Sequence, residues 1–142
     1  MIYYLDSSVL VKRFVREQGS PRVREMRRGE RHLATSALAA VEVRSAVARL
    51  EREGRVEDAA VRRLLARLER TLPTMTVIEP RGRTLELAGE LVARRPLRAY
   101  DAVHLASALR LALESRSAVM FACADAALRD AAAAEGLRTM PA

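Results

Sequence analysis

The chain has 142 residues, is 50% hydrophobic but only 4% aromatic, and carries a net charge of +7. That length suits a single domain over residues 1–142, and no apolar run approaches the ~20 residues of a membrane span. Asp6 interrupts the first apolar segment, so it does not read as a signal peptide; a cytoplasmic location is expected, and the single Cys123 excludes an internal disulfide.

The first stretch, Ile2-Tyr3-Tyr4-Leu5, is a short apolar run ending on Asp6. It reads as a buried central strand of a parallel sheet, with a carboxylate at its carboxyl end. In open α/β sheets that edge is where ligands bind. Val9 to Val15 continues as a helix, with Ser7 or Ser8 as N-cap. Ser20 and Pro21 open a short charged helix to Arg28, stopped by Gly29. His32 to Thr35 is a second strand, and Ser36 caps a helix from Ala37 to about Glu53. Ala39, Val43, Val47 and Leu50 form its apolar stripe. Glu42 borders that stripe among Leu38, Ala39, Ser45 and Ala46; the plain reading is a first-turn glutamate favoured by the helix dipole.

Val56 to Leu72 is the next amphipathic helix, with Val61, Leu64, Leu65 and Leu68 inward. Glu53 to Leu68 reads as a helical hairpin, suited to an arm or a dimer surface. Met75 to Ile78 is a third strand, and Thr84 to Ala93 a helix with Leu85, Ala88, Leu91 and Val92 inward. Ala102 to Glu114 is apolar nearly all round, which marks a buried helix. Asp101 stands at its start, and His104 one turn on reads as packed or bonded to backbone. Ala118 to Cys123 is a fourth strand that leads into Asp125 and the helix Ala126 to Ala134. Gly136 is placed as its C-cap, and Leu137 to Met140 is a last strand. Strands alternating with helices argue a parallel α/β sheet.

Asp6 and Asp125 follow strands directly, while Glu42 and Asp101 lie near helix starts that face the same edge. Carboxylates gathered together repel unless something neutralises them. A hard divalent cation with oxygen ligands does so, and Mg²⁺ or Mn²⁺ fits. Zinc-type Cys/His spacing is absent, as are a P-loop, a dinucleotide fingerprint and a nucleophile elbow. Apart from Lys12, every basic side chain that adds to the positive charge is Arg. Arg binds phosphate as a bidentate fork, which favours nucleic acid as the polyanionic partner.

These residues in this order carry a resemblance. Leu5-Asp6-Ser7-Ser8, Glu42, the segment Leu97-Arg98-Ala99-Tyr100-Asp101-Ala102-Val103-His104-Leu105-Ala106, and Ala124-Asp125 resemble the PIN-domain ribonucleases, most of all VapC-type toxins of bacterial toxin–antitoxin pairs. The match covers the whole chain. It implies a three-layer α/β/α fold with a mainly parallel central sheet and helices on both faces. It also implies a Mg²⁺-dependent endoribonuclease that hydrolyses RNA phosphodiesters. Asp6, Glu42, Asp101 and Asp125 become the catalytic, metal-binding acids, and a cognate antitoxin and a homodimer become the expected protein partners. Ser7, Arg44 and Arg98 are candidate substrate contacts. The family often has Ser or Thr two residues before the last acid; here that residue is Cys123.

Three other readings stand beside this one. A phosphotransfer domain also uses a strand-end Asp, but it needs a distant lysine, and Lys12 follows Asp6 almost at once. A PIN nuclease that is not a toxin shares all four acids. A non-catalytic α/β module binding RNA or protein does not need them.

Overall fold

The computed structural model describes residues 1–15 and 32–142, so the helix expected from Pro21 to Arg28 lies outside the described residues. Five strands form one sheet: β1 Ile2–Leu5, β2 His32–Ser36, β3 Thr76–Ile78, β4 Val119–Cys123 and β5 Arg138–Pro141. Their order across the sheet is β3-β2-β1-β4-β5, and every pairing is parallel. The most apolar strand of the N-terminus is thus central, with Tyr4 opposite Ala34 on one side and Phe121 on the other. The chain moves outward through β2 and β3, then crosses to the far side of β1 for β4 and β5. The strand order therefore reverses between β1 and β4, where such sheets open a crevice at their carboxyl ends.

Six helices are described: α1 Ser7–Phe14, α2 Leu38–Arg52, α3 Asp58–Thr71, α4 Arg83–Arg94, α5 Ala99–Ser115 and α6 Ala126–Ala134. None is long and apolar enough to cross a membrane. Successive strand side chains point to opposite faces, and this divides the core. Leu5 and Ala122 pack with Val9, Leu10 and Phe14 of α1, Val43 and Val47 of α2, and Val61 and Leu68 of α3. Tyr4 and Phe121 pack on the other face with Leu91 of α4, Leu105 of α5 and Leu128 of α6. The expected three layers follow from that alternation.

Two helices end on glycine for a conformational reason. Gly54 after α2 and Gly136 after α6 have φ of 65° and 91°. In each case the glycine N–H and the next N–H turn back to the last helical turn: Gly54 to Glu51, Arg55 to Leu50, Gly136 to Ala133 and Leu137 to Ala132. This paired closure needs a left-handed residue, which glycine adopts without a Cβ clash.

The structure corrects several expectations. In α4, Thr84, Ala88 and Leu91 are buried, while Leu85 and Val92 are 50% and 42% exposed. The inward face is rotated because Thr84 turns in, where its hydroxyl accepts a hydrogen bond from Arg110 at 3.0 Å. Helix α5 begins at Ala99 rather than Ala102, and Leu113, part of its supposedly all-round apolar surface, is exposed. The α2–α3 pair is not a free arm along its apolar stripe. Val61 and Leu68 are buried, and the Arg67 guanidinium lies 5.5 Å from the centre of the Phe14 ring.

The corrected face of α4 makes a direct test. Leu91→Ala should cost about 2–5 kcal/mol, as core truncations do, whereas Leu85→Ala should stay within about 0.5 kcal/mol of wild type. Urea unfolding of both variants measures this, and equal losses would show that the helix packs by its other face.

Candidate active site

The site forms where β1 and β4 end. Asp6 leaves β1 in extended conformation and is itself the N-cap of α1. Its Oδ1 accepts the Val9 N–H at 3.0 Å and the Ser8 hydroxyl at 2.7 Å. Neither Ser7 nor Ser8 is the cap, because the longer carboxylate of Asp6 already reaches the third residue of the helix. Ser8 Oγ also accepts the Ala124 N–H at 3.2 Å, and Asp6 N–H donates to Ala122 O at 3.2 Å. These bonds tie the end of β1 to the end of β4.

Asp125 plays the matching part after β4. It caps α6, its Oδ1 accepting the Leu128 N–H at 2.8 Å, and it is exposed. Cys123 is fully buried, and its Sγ accepts the Asp125 N–H at 3.3 Å. The sulfur thus makes the local turn contact that a hydroxyl makes at such a position. Burial, with the Asp6 charge adding to it, pushes the thiol well up, so it stays protonated. Arg129 spans the same turn, donating to the carbonyls of Cys123 and Ala124 at 2.8 and 2.7 Å.

Asp101 lies in the first turn of α5, half-buried. Its pKa is raised, first by burial, then by the charges of Asp125 and Asp6; His104 and Arg98 oppose the shift. Asp6 and Asp125 are therefore both close enough to act on Asp101 through their charge. Among the described ion pairs, none involves Asp6, Asp101 or Asp125.

Glu42, on α2, is held differently. Its Oε2 accepts the Ser7 hydroxyl at 2.8 Å, and its Oε1 lies 2.6 Å from His104 Nε2. His104 is buried, and its Nδ1 lies 3.0 Å from the hydroxyl of Tyr4. So His104 binds two side chains rather than backbone. Nothing in the local pattern marks Tyr4 as a polar partner, since it stands inside an apolar run. Burial pushes the Tyr4 hydroxyl far up, and the charges of Asp6 and Glu42 add to this.

A cleft of ≈ 630 Å³ adjoins these residues. Ser7, Ser8, Glu42, Tyr100 and Ala124 line it beside the acids, and Lys12, Arg49 and Arg55 add three cations. Glu42, Ser45 and Arg49 recur at helical spacing, so one face of α2 runs along the cleft. Arg44 projects elsewhere and pairs with Glu69 of α3 at 3.0 Å. Arg98 is exposed and acts on Asp101 through its charge.

The donor set suits a hard cation: carboxylate oxygens, excess negative charge and partial burial. Among the described residues, no group of three or more His, Cys, Asp or Glu side chains is already arranged to hold an ion.

Comparison with known proteins bears on this site. The PIN domain family matches residues 3–134. The chain is 37% identical over 134 residues to ribonuclease VapC46 of Mycobacterium tuberculosis, covering 94% of this chain and 92% of that protein. Its fold is similar to FitAcB from Neisseria gonorrhoeae, with a TM-score of 0.72 at 17% identity over 99% of this chain and 96% of the other. It is also similar to a toxin–antitoxin complex from Klebsiella pneumoniae, with a TM-score of 0.60 at 17% identity over 87% and 86% of the two chains.

The raised Asp101 has a consequence for stability. An acid whose folded pKa lies above its unfolded value holds more protons when folded. Its stabilising share is full below the unfolded pKa and is lost as pH rises through the folded pKa, leaving a penalty at neutral pH. In chelator at neutral pH, Asp101→Asn should therefore melt higher than wild type, and the gap should close as pH falls through that window. Thermal unfolding across acid to neutral pH tests this, and a variant that melts lower throughout would make Asp101 a structural helix-start residue.

Proposed function

The chain belongs to the PIN-domain family and is a VapC-type ribonuclease homologue; from that premise we propose that it is a Mg²⁺- or Mn²⁺-dependent endoribonuclease that hydrolyses RNA phosphodiesters as the toxin of an antitoxin-controlled pair. The observation that carries the reading is the gathering of Asp6, Asp101 and Asp125 at the crossover of a parallel sheet, with none of the three in a described ion pair.

Asp6, Glu42, Asp101 and Asp125 are the residues that would hold the metal. Bound there, a divalent ion lowers the pKa of a coordinated water and offsets charge on the phosphate oxygens. The protein's own part is positional. The caps of α1 and α6 fix the carboxylates of Asp6 and Asp125 on rigid helix starts. Ser7 and His104 hold the two oxygens of Glu42. Ser7 also lines the cleft, where its hydroxyl reaches substrate. Arg98, beside Asp101, is a phosphate contact at the acids themselves.

An acidic centre alone repels RNA. The net charge of +7 reverses this at longer range, and Arg49, which lines the cleft and has no described ion pair, offers flanking phosphates a contact; Lys12 donates to the Ala142 carbonyl and Arg55 pairs with Glu53. Arg44 is a weaker candidate, since its guanidinium already pairs with Glu69. The same cleft is open to a protein inhibitor. The toxin–antitoxin complex that this fold resembles supports a cognate antitoxin as the partner, and a homodimer is the assembly proposed with it.

Purified protein should cleave RNA with Mg²⁺ or Mn²⁺ and lose this in chelator. Asp6→Asn and Asp101→Asn should lower kcat by orders of magnitude. Arg49→Ala should raise KM with little change in kcat, and should reduce the salt slope of single-stranded RNA binding by about 0.7. Expression without the antitoxin should arrest growth, and Asp101→Asn should relieve it. RNA binding without metal-dependent cleavage would make the chain a binding module instead, and active but harmless protein a nuclease that is not a toxin.

A further inference from the structure

We propose that His104, with Tyr4 behind it, is a positioning residue for Glu42, holding that carboxylate toward the metal site in one orientation. This rests on the nuclease reading above and adds a buried hydrogen-bonded thread to it. The thread runs from the core to the cleft: Tyr4 on β1, His104 on α5, Glu42 on α2, Ser7 on α1.

Three observations carry the inference. First, the distances are those of real hydrogen bonds: 3.0 Å from the Tyr4 hydroxyl to Nδ1, 2.6 Å from Nε2 to Glu42 Oε1, and 2.8 Å from Ser7 Oγ to Oε2. Second, the core end of the thread is tightly packed. The Tyr4 ring stacks on Phe121 with centroids 5.6 Å apart and meets the His104 ring edge-on at 6.0 Å. Tyr4 and His104 are both buried. Third, a ring with a proton on Nε2 satisfies both contacts. Nε2–H donates to the carboxylate, and Nδ1 accepts from the tyrosine hydroxyl. The Glu42 carboxylate calls for a donor at Nε2, which leaves Nδ1 to face the tyrosine hydroxyl. A packing role alone explains neither the tyrosine oxygen nor the second ring nitrogen, because Phe and Leu fill the same space without burying polar atoms.

The positioning matters because Glu42 comes from α2, apart from the helix starts that carry the other three acids. Asp6 and Asp125 are fixed by the caps of their own helices. Glu42 has a longer side chain on α2 and no cap, so its orientation depends on the two bonds it accepts. Partners of this kind, one step behind the ligands, typically change metal affinity or activity by about 10–100-fold when removed.

The experiment uses the full chain and four proteins: wild type, His104→Ala, His104→Gln and Tyr4→Phe. Mn²⁺ binding is read by paramagnetic resonance and calorimetry, folding by thermal melting, and the ring nitrogens by NMR without metal. Wild type should show Nε2 protonated, and Tyr4→Phe should move the Nδ1 resonance while Nε2 stays protonated. His104→Ala should weaken Mn²⁺ binding about 10–100-fold. His104→Gln, whose amide N–H can stand near Nε2, should recover most of this, and Tyr4→Phe should fall between. Folded His104→Ala that binds like wild type overturns the inference. So does His104→Gln as weak as His104→Ala, since ring bulk is then what counts. If His104→Ala fails to fold, the Gln and Phe variants decide by the same criteria. Wild type without Mn²⁺ affinity overturns the nuclease reading and this inference together, whereas the other outcomes overturn this inference alone.

Discussion

Like charges do not gather at one place unless the backbone makes it tolerable. A parallel sheet does this by geometry, since every strand-to-helix turn puts a helix N-terminus at the carboxyl edge. Each such terminus offers unpaired N–H groups and a partial positive charge. Asp6 and Asp125 use those groups as N-caps, and Asp101 lies in the first turn of α5. A cap is worth roughly 1 kcal/mol and the dipole about 0.3–1 kcal/mol at an exposed terminus. These terms offset the repulsion only in part, because Asp101 still has a raised pKa through burial and its acidic neighbours. What remains is negative charge that the fold tolerates but does not neutralise, which is the condition a divalent cation needs.

The central position of β1 makes this edge rigid. Thr35 donates its hydroxyl to the Leu5 carbonyl at 2.7 Å, Asp6 pairs with Ala122 through the backbone, and Arg129 grips two carbonyls just past β4. The last residues of β1 and β4 thus keep partners beyond the regular ladder. A buried polar group is costly when unpaired, and these bonds extend pairing to the point where the acids begin. Disturbing the turn at Cys123 would reach Asp125 by the same route, because the thiol and Asp125 N–H are bonded to each other.

How much of this was readable follows from the range of each signal. Strand-end acids are legible because they abut apolar runs, so Asp6 and Asp125 could be placed from neighbours alone. The stripe Ala39, Val43, Val47 and Leu50 was legible because its period repeats within one helix, and all four are buried. Failures came where a tertiary partner chose the outcome. Thr84 turns inward because Arg110, on another helix, bonds it, and this rotates α4 away from the face that hydrophobicity favoured. His104 looked like a core histidine because its two partners are 62 and 100 positions away. Tyr4 was counted as apolar because local pattern weighs its ring and ignores its hydroxyl. Arg44 was singled out by closeness to Glu42 in sequence, yet a helix turns 100° per residue, and two steps carry it round to Glu69 on α3.

That last point shapes how a basic protein keeps an acidic centre. On α2, Glu42 and Arg49 share the cleft face, while Arg44 points toward α3. The helix thus sends charges of opposite sign to different distances along one groove: the carboxylate at the sheet edge and the guanidinium further along α2. Exposed ion pairs such as Arg44–Glu69 and Arg83–Glu86 contribute little to stability. Their arginines are largely spent on neighbouring glutamates, so long-range attraction falls to cations such as Arg49, for which no ion pair is described. Under the proposed function, a phosphate chain entering the cleft would meet positive charge on α2, and the acids would need a cation of their own before a phosphate could rest among them. Separating the two by about two turns of one helix lets a single chain attract a polyanion and still hold its chemistry in a negative pocket.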